Sequence, residues 1–303
     1  MAQRGTAGTP AAPGETRRAW VQASRLPTLP AAVVPVLVGT AVAAHRPIHW
    51  PVFFATIAAA LLIQIGANFA NDLFDFQHGT DTDERMGPQR GLQRGVITSR
   101  QMQGATALVF GASMLIGLYL VFVGGLPILV AGLLSILAAL AYTGGPYPLG
   151  YHGLGDLFVF IFFGVVAVGG TYYLQTGGLN WVAIVVSIPV GLLCTAILVV
   201  NNVRDVDTDR TAGKRTLVVL LGPNGGRMEY VLLLVISYLV PAFLALSGAV
   251  GFWFWLPWLS LPLAVRLVRR LYRLHGKPLN AVLKQTGQLH LLYGVLFALS
   301  LVT

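Results

Sequence analysis

Stretches free of Asp, Glu, Lys and Arg divide this chain more sharply than any other pattern. They cover residues 26–45, 47–71, 101–155, 157–203, 230–265 and 285–303 of the 303. A helix that spans a bilayer needs about 20 apolar residues, so the first, second and last runs each predict one span. The other three are long enough for hairpins of two helices. Their turns are predicted at the Gly- and Pro-containing points Gly124 to Pro127, Gly177 to Asn180 and Ser247 to Gly251. The pattern predicts an all-α membrane protein with nine transmembrane helices. A transmembrane β-barrel would instead show alternating segments of about ten residues, and these runs are continuous.

Composition agrees. The chain is 55% hydrophobic and 10% charged, against about 25% charged in an average soluble domain, and one soluble core of this length cannot hide that much apolar surface. With the N-terminus inside, the inner segments are 1–28, 75–100, 143–153, 204–228 and 266–284. Of the 20 Lys and Arg, 19 fall in them and only Arg46 lies outside. That asymmetry is the one expected of cytoplasmic loops. It places the N-terminus and the basic loops in the cytoplasm and the C-terminus on the outer side. The net charge of +9 is then a basic face beside anionic lipid, and no nucleic-acid partner is needed. The single cysteine, Cys194, lies in an apolar run, which excludes disulfides and a cysteine-based metal cluster. Residues 1–16, rich in Ala, Gly, Thr and Pro, read as a disordered tail without the apolar core of a cleaved signal peptide. Residues 17–303 read as one transmembrane catalytic domain.

The acids carry the chemistry. Of 11 acidic residues, five lie in one stretch (Asp72, Asp75, Asp81, Asp83, Glu84) and three in another (Asp205, Asp207, Asp209). In the first, Asn68, Asp72 and Asp75 fall on one helical face, with Asn71 and Asp75 paired beside it. In the second, Asn201, Asp205 and Asp209 recur every four residues. Both clusters end predicted helices, the second and the sixth, on the same side of the membrane. Each precedes a basic loop: Arg85, Arg90 and Arg94, then Arg210, Lys214 and Arg215. Two acidic helix C-termini facing each other repel, and the helix dipoles add to the repulsion, so a cation is expected between them. Hard oxygen ligands suit Mg²⁺ completed by phosphate oxygens, and the basic loops suit the oxygens that the metal leaves free. The pattern reads as a diphosphate site, and its position implies a diphosphate with a lipid tail. The bland alternative, solvated loop residues, applies best to Asp83, Glu84, Asp207, Arg94 and Arg227. A cation transporter is the rival from another class, but transport sites place ionisable groups near the bilayer midplane.

Three stretches resemble the UbiA-type intramembrane prenyltransferases: residues 68–90 (NFANDLFDFQHGTDTDERMGPQR), 142–176 (YTGGPYPLGYHGLGDLFVFIFFGVVAVGGTYYLQT) and 201–222 (NNVRDVDTDRTAGKRTLVVLLG). The likeness extends over nearly the whole chain from about Trp20. It implies a nine-helix bundle in a bacterial cytoplasmic membrane, with Asp-rich motifs ending the second and sixth helices. Gly79 stands where ubiquinone-type members have a second Asp, and the next acid is Asp81. That spacing, with Gly144-Gly145-Pro146 and Gly155-Asp156, resembles the branch that prenylates 1,4-dihydroxy-2-naphthoate in menaquinone biosynthesis. The other acceptors known in the family are 4-hydroxybenzoate, homogentisate and haem.

What the resemblance implies is electrophilic prenylation with a polyprenyl diphosphate donor. Mg²⁺ is expected on Asp75 and Asp81 from one side and Asp205 and Asp209 from the other, with Asp72 a further metal candidate. Arg85, Arg90, Lys214 and Arg215 are expected to clamp the diphosphate, with Asn68, Asn71 and Asn201 beside them. Tyr142 is a candidate to face the allylic cation or to anchor at the interface. Asp156 is a candidate to orient or deprotonate the naphthol, or to cap its helix. Gln64, Thr171 and Gln175 are polar residues inside spans, where bonding between helices is the commoner role. The six histidines show no metal-ligand spacing. Residues 266–284 read as an interfacial segment on anionic lipid.

Overall fold

The computed structural model describes residues 13–79 and 86–302; their regular elements are all helices, with no strand among them. The helices are α1 Pro13–Ala23, α2 Pro30–Val42, α3 Trp50–Gln77, α4 Ser99–Ala141 and α5 Gly155–Thr176. They continue with α6 Trp181–Thr211, α7 Leu217–Leu246, α8 Leu261–Arg273 and α9 Leu279–Val302. A 3₁₀ segment, Phe252–Ser260, leads into α8. Helix α1 begins at Pro13, inside the stretch expected to be a tail.

Local sequence explains where the elements start and stop. Thr98 and Gln101 form a reciprocal capping box at the start of α4. The side chains of Asn180 and Thr216 accept backbone N–H bonds at the starts of α6 and α7. Gly177, at φ 78°, ends α5 in the left-handed conformation that glycine adopts without strain. All three turns read from the charge-free runs are present as breaks: Gly125 is non-helical, 177–180 separates α5 from α6, and Gly248 follows α7.

Among the described residues, six helices are long and apolar enough to cross a membrane. The number is seven if the bent pair Gly14–Thr28 and Pro30–His45 forms one span. The difference from the nine expected has two physical sources. The third run counts once, as Ser99–Ala141, although it is two helices that meet at a kink at Gly125. The fifth run ends in a 3₁₀ segment and a 13-residue helix, each too short to cross alone.

Helix α6 forms the centre. Val186, Val190, Ala196, Val199 and Val200 along it are fully buried, against α7 and α9 residues such as Tyr230, Tyr293 and Phe297. Helix α4 is the opposite case, with Leu108, Leu115, Phe122 and Leu137 exposed, as lipid-facing residues are. Helices α5 and α6 cross at glycines. A Cβ on Gly191 would sit 2.7 Å from the Phe160 carbonyl oxygen, and one on Gly164 would sit 2.9 Å from the Gly191 Cα. Small residues allow such backbone approach between membrane helices, and a π-helical turn, Phe160–Val166, lies at this crossing.

The predicted inner segments gather at one end of the bundle. Their hydrogen bonds join 24–28 to α3, 90 to α3, 151 to α3 and to 215, and 280 to both 86 and 204. The opposite end joins 46 and 49 to 175–176.

Candidate active site at the paired aspartate helix ends

Helix α3 delivers Asp72 and Asp75 into the inner end, 2% and 5% exposed. Neither carboxylate is left alone. Asp72 receives Arg25 from the bend between α1 and α2, and Arg90 Nε at 2.9 Å. Asp75 accepts from Arg90 Nη2 at 2.9 Å, from the Tyr151 hydroxyl at 2.7 Å and from Lys214 Nζ at 3.4 Å. Arg90 is buried between the two acids and also donates to the Asn71 carbonyl. The Asn71 side chain accepts from Thr143 at 2.8 Å.

Arg25 reaches Asp72 from an unusual backbone. At φ 50° and ψ 57° it is the one non-glycine with positive φ among the described residues. Such conformations cost about 1–3 kcal/mol and persist where the surroundings enforce them. Here Asn68 donates to the Ser24 carbonyl and to Thr28, and Gln64 donates to Thr28. Asn68 therefore braces the bend that carries Arg25.

Helix α6 brings Asp205 and Asp209 to the same end. Arg204, itself buried, binds both oxygens of Asp205 and donates to Asn201 at 2.8 Å and to Asn280 at 2.7 Å. Asn280 donates onward to the Met86 carbonyl at 3.0 Å. Asp209 lies 3.9 Å from Lys214 Nζ. Asp207 points away, with its side chain 87% exposed beside Arg210.

Lys214 links the two helix ends. Its ammonium lies between Asp75 and Asp209 and over the Tyr151 ring, 4.6 Å from the centroid. The Arg215 N–H, donating to the Tyr151 carbonyl at 2.8 Å, ties the two loops together. The Arg215 side chain is exposed. Asp81 and Arg85, with Asp83 and Glu84, lie outside the described residues. Among the described residues, no three His, Cys, Asp or Glu side chains converge as a ready-made metal cage. The carboxylates of Asp75 and Asp209 do straddle one cation position, and hard oxygens from two elements fit Mg²⁺, which keeps waters and takes few protein ligands.

Beside this site, Asp156 in the first turn of α5 is buried with Oδ1 unpartnered. The Tyr142 hydroxyl packs against Gly155, where a Cβ would come within 2.9 Å of it. Burial of that hydroxyl, and then the charge of Asp156, push Tyr142 above the usual tyrosine range. Tyr142 is thus a neutral phenol at working pH. Of the polar span residues, Gln175 bonds to the His49 backbone and Thr171 to the Ala167 carbonyl.

Sequence reasoning left Arg25, Tyr151, Arg204 and Asn280 without roles. Arg204 and Tyr151 stand inside the quoted motif stretches. Arg25 and Asn280 carry no local signal, since their partners lie 47 and 76 residues away.

The sequence profile of the UbiA prenyltransferase family matches residues 32–299. A 1,4-dihydroxy-2-naphthoate octaprenyltransferase of Haemophilus influenzae is 37% identical over 297 residues, covering 95% of this chain and 96% of that protein. The Escherichia coli protein of the same name is 39% identical over 300 residues, covering 94% and 95%. A solved UbiA homolog from Archaeoglobus fulgidus, bound to GPP and Mg²⁺, superposes with a TM-score of 0.67 at 14% identity. It covers 94% of this chain and 99% of that one, a likeness of fold.

Proposed function

The chain belongs to the UbiA prenyltransferase family, and from that premise we propose that it prenylates 1,4-dihydroxy-2-naphthoate from a polyprenyl diphosphate, in menaquinone biosynthesis. The single observation that carries this reading is identity of 37–39% over nearly the full length of two relatives with that name. The allylic C–O bond breaks and its electron pair leaves with the diphosphate. The electron-rich ring carbon that bears the carboxylate attacks the allylic carbon, and that carboxylate then leaves as CO₂, returning its bonding pair to the ring. The products are demethylmenaquinol and diphosphate.

The residues divide these tasks. Arg90 and Lys214 are assigned to the diphosphate, with Arg25 behind them, a reading supported by their convergence on Asp72 and Asp75. The carboxylates of Asp72 and Asp75 hold these cations in place. Asp75 and Asp209 are assigned to Mg²⁺, with Asp205 held ready by Arg204. The metal, when bound, neutralises charge developing on the leaving group. Asp72, enclosed by two guanidinium groups, is assigned to orienting Arg25 and Arg90, not to the metal. Asp156 is assigned to the naphthol hydroxyl, for which its unpartnered oxygen is the acceptor. Tyr142, a neutral phenol, orients the acceptor and does not serve as base. Burial of the acids excludes water that would intercept the allylic cation.

Nine spans are also proposed, with the site end in the bacterial cytoplasm and the C-terminus outside. A straight 43-residue helix would be about 65 Å long at about 1.5 Å per residue, twice a hydrocarbon core of about 30 Å. Splitting α4 at Gly125 and counting Phe252–Arg273 as one span raises seven to nine. Labelling of single cysteines placed at 125, 178 and 248, in a chain with Cys194 replaced, tests this: all three should be accessible from outside.

The test of function is an assay of purified enzyme with polyprenyl diphosphates of graded length, Mg²⁺ and 1,4-dihydroxy-2-naphthoate. Prenylated, decarboxylated naphthol is expected. Conversion of 4-hydroxybenzoate, homogentisate or haem in its place would overturn the acceptor assignment.

A further inference from the structure

Helix α8 carries four arginines, Arg266, Arg269, Arg270 and Arg273, spaced i, i+3, i+4 and i+7, so they share one face. The opposite stripe, Ala264, Leu267 and Leu271, is buried in the bundle. The four line a shallow groove of about 330 Å³ together with Pro262 and Val265. Arg270 is braced by a bond to Gln285 at 2.8 Å. No carboxylate among the described residues pairs with any of the four. Like charges three and four residues apart on a helix destabilise it, so this face lacks a counter-charge that the described protein does not supply.

The wall of the groove indicates what supplies it. Val265 is exposed beside the arginines, and the arginine row runs about 10 Å along the helix at about 1.5 Å per residue. Planar guanidinium groups bind phosphate oxygens in pairs. An apolar wall beside them suits an acyl chain and has no use for a soluble ion. We propose that the arginine face of α8 binds the phosphate of an anionic phospholipid, with the lipid's acyl chain against Val265 and Pro262.

The face has a direct line to the aspartate site. Past Arg273 the chain passes Gly276, where a Cβ would lie 3.8 Å from Met86 Sδ, and reaches Asn280, which accepts from Arg204 and donates to the Met86 carbonyl. A headgroup that steadies α8 thus steadies the residue that braces Asp205.

The test uses full-length protein in phosphatidylcholine nanodiscs titrated with phosphatidylglycerol. Wild type should show saturable thermal stabilisation and should retain phosphatidylglycerol in native mass spectrometry. The Arg266→Gln/Arg269→Gln/Arg273→Gln variant should lose at least tenfold of that retention. Equal retention by the variant would overturn the proposal, because the arginines would then be merely solvated. So would equal stabilisation of wild type by inorganic phosphate, which lacks the acyl chain. A raised KM for polyprenyl diphosphate with lipid retention unchanged would assign the face to the substrate and also overturn it. If the triple variant does not fold, the wild-type titration decides alone: no shift with phosphatidylglycerol refutes the site.

Discussion

The two aspartate motifs look equivalent in sequence and are built differently. The α3 end is neutralised from a distance: Arg25, Arg90 and Lys214 come from three other segments, and Tyr151 from a fourth. The α6 end is braced from within. Asp205 is held by the residue beside it, and among the described residues only Lys214 pairs with Asp209. Motif one is therefore where the loops converge, and motif two is a pre-set arm brought up beside it. An acidic pair that was expected to need a cation between its halves already contains one, the Lys214 ammonium.

The largest effect tests the hub. Asp75→Asn keeps the shape but removes the charge that holds Arg90, Tyr151 and Lys214. Loss of one preorganised electrostatic group from a reacting site costs roughly 10²–10³-fold in turnover. Turnover by the variant in the naphthoate assay should fall by that much while it still elutes as folded protein. Full activity would remove Asp75 from the site. Next, Arg90→Gln and Arg204→Gln compare the two ends. Arg90 bridges two buried acids from another element, so its loss should lower the thermal midpoint more than loss of Arg204. The reverse order would make the α6 end the hub.

A smaller effect is expected at the bridge. Lys214→Gln removes the cation that stands where Mg²⁺ is assigned. Mg²⁺ binding without substrate, followed by calorimetry, should tighten by roughly tenfold. The KM for the diphosphate should rise by a similar factor, since a charged hydrogen bond contributes about 1.5–3 kcal/mol. Weaker Mg²⁺ binding in the variant would show that Lys214 supports the metal position instead of occupying it.

How much of this was legible follows the range of each interaction. The spans, the three turns and the two aspartate helix ends arise from composition and from spacing within one helix, and all were readable. Asn68 was readable as a residue facing inward with Asp72, but not as the brace of the Arg25 bend, because its partners Ser24 and Thr28 belong to another element. Arg25 was invisible, since a left-handed arginine in a short bend has no signature until its aspartate is placed. The π-turn at Phe160–Val166 was hidden for a related reason: its hydrogen-bond register departs from the α-helix at the close crossing of Gly164 and Gly191. The break at Gly125 was readable as well, because glycine and proline at 124–127 interrupt the apolar run there.

The smallest predicted effect is the most discriminating about spacing. Asp207 stands between Asp205 and Asp209, so a pattern read by charge alone would count it with them. Two residues along a helix turn the side chain about 200°, and Asp207 duly points into solvent with only the exposed Arg210 nearby. Substitutions at such surface positions usually stay within about 0.5 kcal/mol. Asp207→Asn should therefore leave turnover within about twofold and the thermal midpoint unchanged. A loss as large as that of Asp75→Asn would mean that the α6 end rotates or unwinds when substrate binds. The contrast between an assembled first motif and a pre-set second one would then fail.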